Sequence, residues 1–157
     1  MRKIDKIFVH CTATPQDATI NSIQSYWKNV LKWKNPGYHK IVFPDGNIYV
    51  LASDYAICNG VAGHNSTSLH VSYVGGIDSK GNGVDNRTEA QKKALKTILE
   101  DWGKKYPNAY ILGHRDISPD KNKNGKIEPF EYIKMCPSFN AIPEYLYITK
   151  KEYKPKS

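Results

Sequence analysis

Ile4-Asp5-Lys6-Ile7-Phe8-Val9-His10-Cys11-Thr12 is the stretch from which the rest of the chain can be read. β-Branched and aromatic residues dominate it, and Ile7, Val9 and Cys11 alternate with Phe8, His10 and Thr12, the period of a strand. Cys11 falls in line with Ile7 and Val9 and reads as a small buried hydrophobe. His10 points to the opposite face, a polar side chain near the C-terminal end of an otherwise apolar strand.

Working outward, Thr19 to Lys32 carries Ile23, Trp27, Val30 and Leu31 at helical spacing, with Thr19 able to cap its start and Asn35-Pro36-Gly37 to stop it. Tyr38 to Phe43 and Asn47 to Leu51 are apolar runs joined by Pro44-Asp45-Gly46, which predicts a β-hairpin. Cys58 to Ser68, rich in Gly, Asn and Ser, reads as loop. Leu69 to Gly75 is a strand candidate, followed by the turn Asp78 to Gly83. Thr88-Glu89-Ala90-Gln91 is a capping box opening a helix through Trp102, with Ala90, Ala94, Leu95, Ile98, Leu99 and Trp102 on one face. Tyr110 to Leu112 is a last short strand. Strands and helices alternate without an internal repeat, so the expected class is α/β: a single mixed central β-sheet with helices packed on its faces. The expected division is a domain over 1–147 and a basic tail over 148–157.

Composition narrows the function. At 157 residues the chain has room for one domain, which excludes a second catalytic module. With 39% hydrophobic and 24% charged residues it can bury a core and is not of disordered composition. No run approaches the ~18 apolar residues of a membrane span, and Met1-Arg2-Lys3-Ile4-Asp5-Lys6 lacks the apolar stretch of a signal peptide. Lys and Arg exceed Asp and Glu by 23 − 15 = 8, so the surface should attract polyanions: nucleic acid, an acidic membrane face or an anionic cell wall. Part of that excess sits in Lys150 to Ser157, which reads as a solvated terminus. Cys11, Cys58 and Cys136 are odd in number and contain no C-x-x-C pair, which argues against a disulfide framework.

Of the five histidines, His39, His64 and His70 read as ordinary packed or surface residues. His10 and His114 differ, because each comes at or near the C-terminal end of a predicted strand, in Phe8-Val9-His10-Cys11-Thr12 and Leu112-Gly113-His114-Arg115-Asp116. Cys136 follows in the turn-like Lys134-Met135-Cys136-Pro137-Ser138-Phe139. Two imidazoles and a thiolate are one ligand set for catalytic zinc, which leaves a fourth position for water. Spacing alone does not decide for it, since no short metal signature links the three.

Taken together the blocks carry more. Phe8-Val9-His10-Cys11-Thr12-Ala13-Thr14, Gly37-Tyr38-His39 before the Pro44-Asp45-Gly46 hairpin, His64-Asn65-Ser66 leading to Tyr73-Val74-Gly75-Gly76-Ile77-Asp78, Gly113-His114-Arg115-Asp116 and Lys134 to Phe139 occur in one order. In that order the chain resembles the zinc-dependent N-acetylmuramoyl-L-alanine amidases of the type 2 amidase and peptidoglycan-recognition-protein superfamily, particularly the small amidase lysozymes of tailed phages. The resemblance runs from about Ile4 to Phe139.

The resemblance implies a zinc site at the sheet rim formed by His10, His114 and Cys136, with Tyr38 and Lys134 at the catalytic positions beside it. It implies cleavage of the amide joining the lactyl group of N-acetylmuramic acid to L-alanine of the stem peptide. Zinc lowers the pKa of bound water to roughly 7, and the Lys134 ammonium and Tyr38 hydroxyl can help stabilise negative charge on the amide oxygen. No carboxylate stands out as general base; Tyr38, Lys134 and the departing amine are the candidates. His64 and Asn65 are candidate substrate contacts. The implied partner is peptidoglycan, met as a monomer, with neither specific nucleic acid nor membrane expected. Without a leader, the implied route to the wall is a phage lysis system or another nonclassical release.

Asp120-Lys121-Asn122-Lys123-Asn124-Gly125-Lys126-Ile127-Glu128-Pro129-Phe130-Glu131 fits the calcium-loop pattern, with ligands expected from Asp120, Asn122, Asn124, the Lys126 carbonyl and Glu131. Two amides in place of carboxylates, three lysines and Pro129 weigh against a cation, so a metal-free turn is preferred. In either form the loop bridges His114 to Cys136. Two other functions compete with catalysis. A peptidoglycan-binding module that does not cleave is disfavoured by the presence of Cys136, and a nucleic-acid-binding protein by the absence of any recognised motif or aromatic stacking platform.

Overall fold

In the computed structural model, which describes residues 2–155, the opening strand β1 (Lys6–Cys11) runs parallel to a neighbour on each side. Met1, Lys156 and Ser157 lie outside the described residues, and with them the ends of the N-terminal segment and of the basic tail. The hairpin strands β2 (Lys40–Val42) and β3 (Ile48–Val50) pair antiparallel around the Pro44-Asp45-Gly46 turn. Adding β4 (Ser68–Tyr73) and β5 (Tyr110–Gly113) gives one mixed five-stranded sheet of order β3-β2-β4-β1-β5, the class expected. A strand between two parallel partners is covered on both faces and reads as a continuous apolar run. Ile7, Phe8 and Val9 are accordingly all fully buried.

Alternation along the strands separates two sides. Ile7, Val9 and Cys11 of β1 join Leu69, Val71 and Tyr73 of β4 in the main core. Against them packs helix α2 (Glu89–Lys105) through Leu95, Ile98, Leu99 and Trp102, and helix α3 (Ala141–Thr149) through Ala141 and Tyr145. Each such side chain contributes about 1.5–3 kcal/mol on burial. Phe8 and Leu112 belong to a second cluster with Val61, and Ile41 and Val74 to a third, where helix α1 (Ile20–Ser25) adds Ile23.

The two capping motifs form as the sequence indicates. Thr19 and Ser22 exchange side-chain-to-backbone bonds of 3.1 Å at the start of α1. At α2, the Gln91 N–H donates to Thr88 Oγ1 at 3.1 Å and the Thr88 N–H to Gln91 Oε1 at 2.9 Å. The remaining Gln91 amide protons reach Val42 O and Val74 O, pinning the helix start to the sheet. The α2 helix also runs past Trp102 to Lys105.

The helix expected over 19–32 is shorter and changes character. After Ser25 it widens into a π turn over Tyr26–Val30, and Lys32 takes a left-handed conformation with φ 59°. The wider turn rotates Val30 into solvent, against the expectation that it lies on the buried face, and stacks Trp27 and Trp33 with ring centroids 6.3 Å apart. Sequence reading assigns no element to 141–149, a stretch that contains Pro143. That proline falls in the first turn of α3, where its missing N–H costs nothing. The boundary expected at 147/148 therefore falls inside this helix, and Tyr153 beyond it rests edge-on against Tyr110.

Arg87 clasps the start of α3 to the entrance of α2. Its guanidinium, almost fully buried, bonds Asp85 and Glu144 at 2.7–3.0 Å and lies 3.4 Å over the Phe139 ring. Its hydrogen bonds hold Glu144 below the usual carboxylate range, and for Asp85 the same cation outweighs burial, which acts in the opposite direction. Depressed carboxyl pKa values add stability above about pH 4 that is lost as pH falls through the folded values. Arg87→Met should therefore lower the unfolding free energy at pH 7 by about 2 kcal/mol, between the cost of breaking a buried pair and an exposed one. Urea unfolding at pH 7 and pH 3 checks this, with the gap between variant and parent expected to shrink at the lower pH.

Candidate active site

The register of β1 against β5 places Val9 opposite Gly113, so the residues that follow, His10 and His114, emerge side by side with ring centroids 5.1 Å apart. His114 opens a short 3-10 turn, His114–Ile117, that carries the chain off the sheet rim. Cys136 arrives from an irregular segment fixed at several points: the Arg115 N–H donates to Cys136 O at 2.8 Å, the Cys11 N–H to Cys136 Sγ at 3.2 Å, and the Tyr73 hydroxyl to Pro137 O at 2.6 Å. Gly113 makes room for this approach, since a Cβ there would stand 2.5 Å from Pro137 Cδ.

His10, His114 and Cys136 each present one donor atom, all within 4.8 Å of one another, and His10 Nδ1 lies 3.6 Å from Cys136 Sγ. Two donors about 2.0–2.3 Å from one tetrahedral ion stand roughly 3.5 Å apart, so the set fits a single transition-metal ion. Burial depresses both imidazoles; His70, His114 and Lys134 act the same way on His10, and Lys134 and His64 on His114, which falls to about 4. They are therefore neutral at pH 7, the form that ligates. Burial pushes the Cys136 thiol up, so cation binding must expel its proton.

Tyr38 and Lys134 border the same place. The Tyr38 ring packs 4.9 Å from that of His10, its hydroxyl donates to Cys11 O at 3.4 Å, and burial followed by the two cysteines raises its pKa. Lys134 is exposed, close enough to depress both histidines. With His114 and the Cys136 thiol they line a cleft of about 790 Å³, which Trp27, Leu31 and Trp33 also line as an apolar wall beside Tyr38.

The sequence matches the family described as N-acetylmuramoyl-L-alanine amidase over residues 1–129. The chain belongs to that amidase family. The match ends before Lys134 and Cys136, but the amidase is also 36% identical over 141 residues to an endolysin of Klebsiella phage KP32, covering 88% of this chain and 83% of that protein. The Ph2119 endolysin from a Thermus scotoductus bacteriophage is similar in structure, with TM-score 0.70, 25% identity and coverage of 96% of this chain and 88% of that one. The amidase LysC from Clostridium intestinale shares the fold at TM-score 0.70 and 20% identity, over 97% of this chain and 88% of that one. As a family member the amidase is a peptidoglycan hydrolase, and among the described residues no helix is long and apolar enough to cross a membrane.

Other expected site residues lie elsewhere. Asn65 uses its Oδ1 to accept the Val61 N–H at 2.8 Å, and His64 borders a separate pocket of about 460 Å³ with Tyr110 and Tyr153 while its charge still reaches His114. In the 120–131 loop, Asp120 and Glu131 are buried but engaged by the loop's own N–H groups: Asn124 and Gly125 donate to Asp120, Lys121 and Glu128 to Glu131. Asn122 and Asn124 accept from Asn124 and Lys126 N–H in the same way. Two features escaped the sequence reading. The Trp27–Trp33 wall depends on a π turn that heptad-like spacing does not reveal. His39 and His70 are fully buried, and the signal for His70 was its place with Ser72 as a polar pair inside a buried parallel strand.

A metal-depleted amidase titrated with Co²⁺ should bind about one ion and gain a thiolate-to-cobalt charge-transfer band. Both should be lost in Cys136→Ala.

Proposed function

We propose that the chain is a zinc-dependent, endolysin-like amidase that cleaves the bond between N-acetylmuramic acid and L-alanine in bacterial walls, with His10, His114 and Cys136 holding the ion. The observation that carries the reading is the convergence of these three donors within 4.8 Å of one another, with His114 and Cys136 lining a cleft also bordered by Tyr38 and Lys134. Bound there, zinc would supply Lewis acidity, bringing water within reach of deprotonation near neutral pH and polarising an amide carbonyl.

The chain's own groups do the rest. The Tyr38 hydroxyl, held at 3.4 Å from Cys11 O by a long bond, is free to turn its proton toward an amide oxygen gaining negative charge. The Lys134 ammonium, unconstrained in the cleft mouth, adds positive charge at that oxygen and can pass a proton to the departing L-alanine amine. Trp27, Leu31 and Trp33 offer an apolar wall on which the glycan or stem peptide can lie while water is excluded. The net charge of +8 draws the protein toward carboxylate and phosphate polymers of the wall, an attraction that fades as salt rises.

Purified peptidoglycan treated with the zinc-loaded protein should release stem peptides with free L-alanine N-termini, read by mass spectrometry. Cys136→Ala should abolish the release, and Tyr38→Phe and Lys134→Ala should each lower kcat by about 10²–10³-fold. Binding of the wall without released peptide would identify a recognition module instead. We assign the 120–131 loop a structural role, tethering Cys136 to the rim. Millimolar Ca²⁺ should then raise Tm by less than about 1 °C, whereas a larger rise that disappears in Glu131→Gln would make the loop a calcium site.

A further inference from the structure

His10 offers Nδ1 toward Cys136, and its other ring nitrogen is buried. A metal-binding imidazole must carry its proton on the nitrogen that does not ligate, and that N–H needs an acceptor. Here the atom facing His10 Nε2, at 3.0 Å, is Nδ1 of His70, an imidazole where a carboxylate or carbonyl commonly serves. We propose that His70 is a positioning residue for the metal centre, accepting the His10 Nε2–H and so fixing the tautomer and ring orientation that aim His10 Nδ1 at the ion. This rests on the zinc reading above and adds a member that the ligand set does not contain.

Three observations support it. First, the His70 ring is immobilised: it stacks between Phe8, at 5.5 Å and 11°, and His39, at 5.8 Å and 13°. His39 is itself fixed, with Nδ1 accepting the His70 backbone N–H at 3.1 Å and Nε2–H donating to Ala56 O at 2.8 Å. Second, the sequence clears space for that ring, because a Cβ at Gly60 would fall 2.2 Å from His70 Nδ1. Third, the arrangement carries a cost. When Nδ1 accepts from His10, His70 Nε2 bears the proton, and that buried atom has no hydrogen-bond partner among the described residues. An unsatisfied donor costs about 1–3 kcal/mol, which a Phe in the same stack would avoid. The Nδ1 acceptor accounts for a histidine at this position where packing alone does not. A neutral acceptor also leaves a His₂Cys site with one net positive charge around a divalent ion, the sign needed beside a developing oxyanion.

The test measures zinc affinity of the purified full chain by chelator competition, alongside melting of the metal-free protein. His70→Phe keeps the stacked ring and removes the acceptor; His70→Asn keeps an acceptor near the Nδ1 position. The expected result is a 10–100-fold weaker zinc affinity in His70→Phe, a value within a few-fold of the parent in His70→Asn, and metal-free melting that does not track the affinities. Gly60→Ala, which crowds the His70 ring without altering any donor or acceptor, should weaken zinc binding in the same direction. Parent-like zinc affinity in His70→Phe, or equal losses in Phe and Asn variants, would overturn the proposal. The zinc reading fails separately: it falls if the parent and Cys136→Ala bind zinc alike.

Discussion

Parallel pairing on both sides of β1 removes freedom of register from the middle of the sheet. With Val9 opposite Gly113, the two histidines leave their strands at the same level and on the same side of the rim. Shifting either strand by one residue would invert its facing side chains, driving His10 into the main core and Cys11 out of it. The hydrophobic alternation that holds Ile7, Val9 and Cys11 against α2 and α3 therefore also sets the geometry of the two candidate histidine ligands. Core and chemistry share one constraint.

The third candidate ligand is delivered differently. Cys136 belongs to no strand or helix, and its position depends on backbone-directed hydrogen bonds from Cys11, Arg115 and Tyr73. Those donors belong to the strands and turn already placed by the sheet. Beyond Pro137, Phe139 is held beneath the Arg87 guanidinium, which also grips the first turn of α3. The irregular segment is thus anchored at both ends to regular structure, and a thiolate can be presented from a loop without the imprecision that loops usually bring.

Much of this was legible from single residues. Thr88 with Gln91, Pro44-Asp45-Gly46 and the Ile7-Val9-Cys11 alternation each specify a local geometry, and the sheet follows from them. The two rim histidines were legible because a polar side chain near the end of an apolar strand has few other reasons to be there. Cys136 was a candidate ligand from its turn-like setting and gained weight from family resemblance, since 104 and 22 residues separate the three and only the fold brings them together. The π turn at Tyr26 escaped because its spacing looks helical until Trp33 is found against Trp27. His70 escaped because burial turns an unremarkable strand histidine into a hydrogen-bond acceptor, and burial is a property of the assembled sheet. His64 and Asn65 were candidate substrate contacts that loop polarity explained nearly as well, and for Asn65 that polarity is used in holding the Val61 N–H.

The Trp27–Trp33 wall stands on its own small cluster with Ile23, Ile41 and Val74, apart from the core that α2 and α3 share with β1. That cluster also carries Tyr38, whose ring meets Trp27 edge-on at 5.5 Å, so the wall and the hydroxyl beside the candidate ligands rest on one packing unit. Exchanges along the wall leave the register of β1 and β5 as it is but bear on the Tyr38 ring. The cleft is thus tuned from its apolar side, with each change there felt by the phenol it supports.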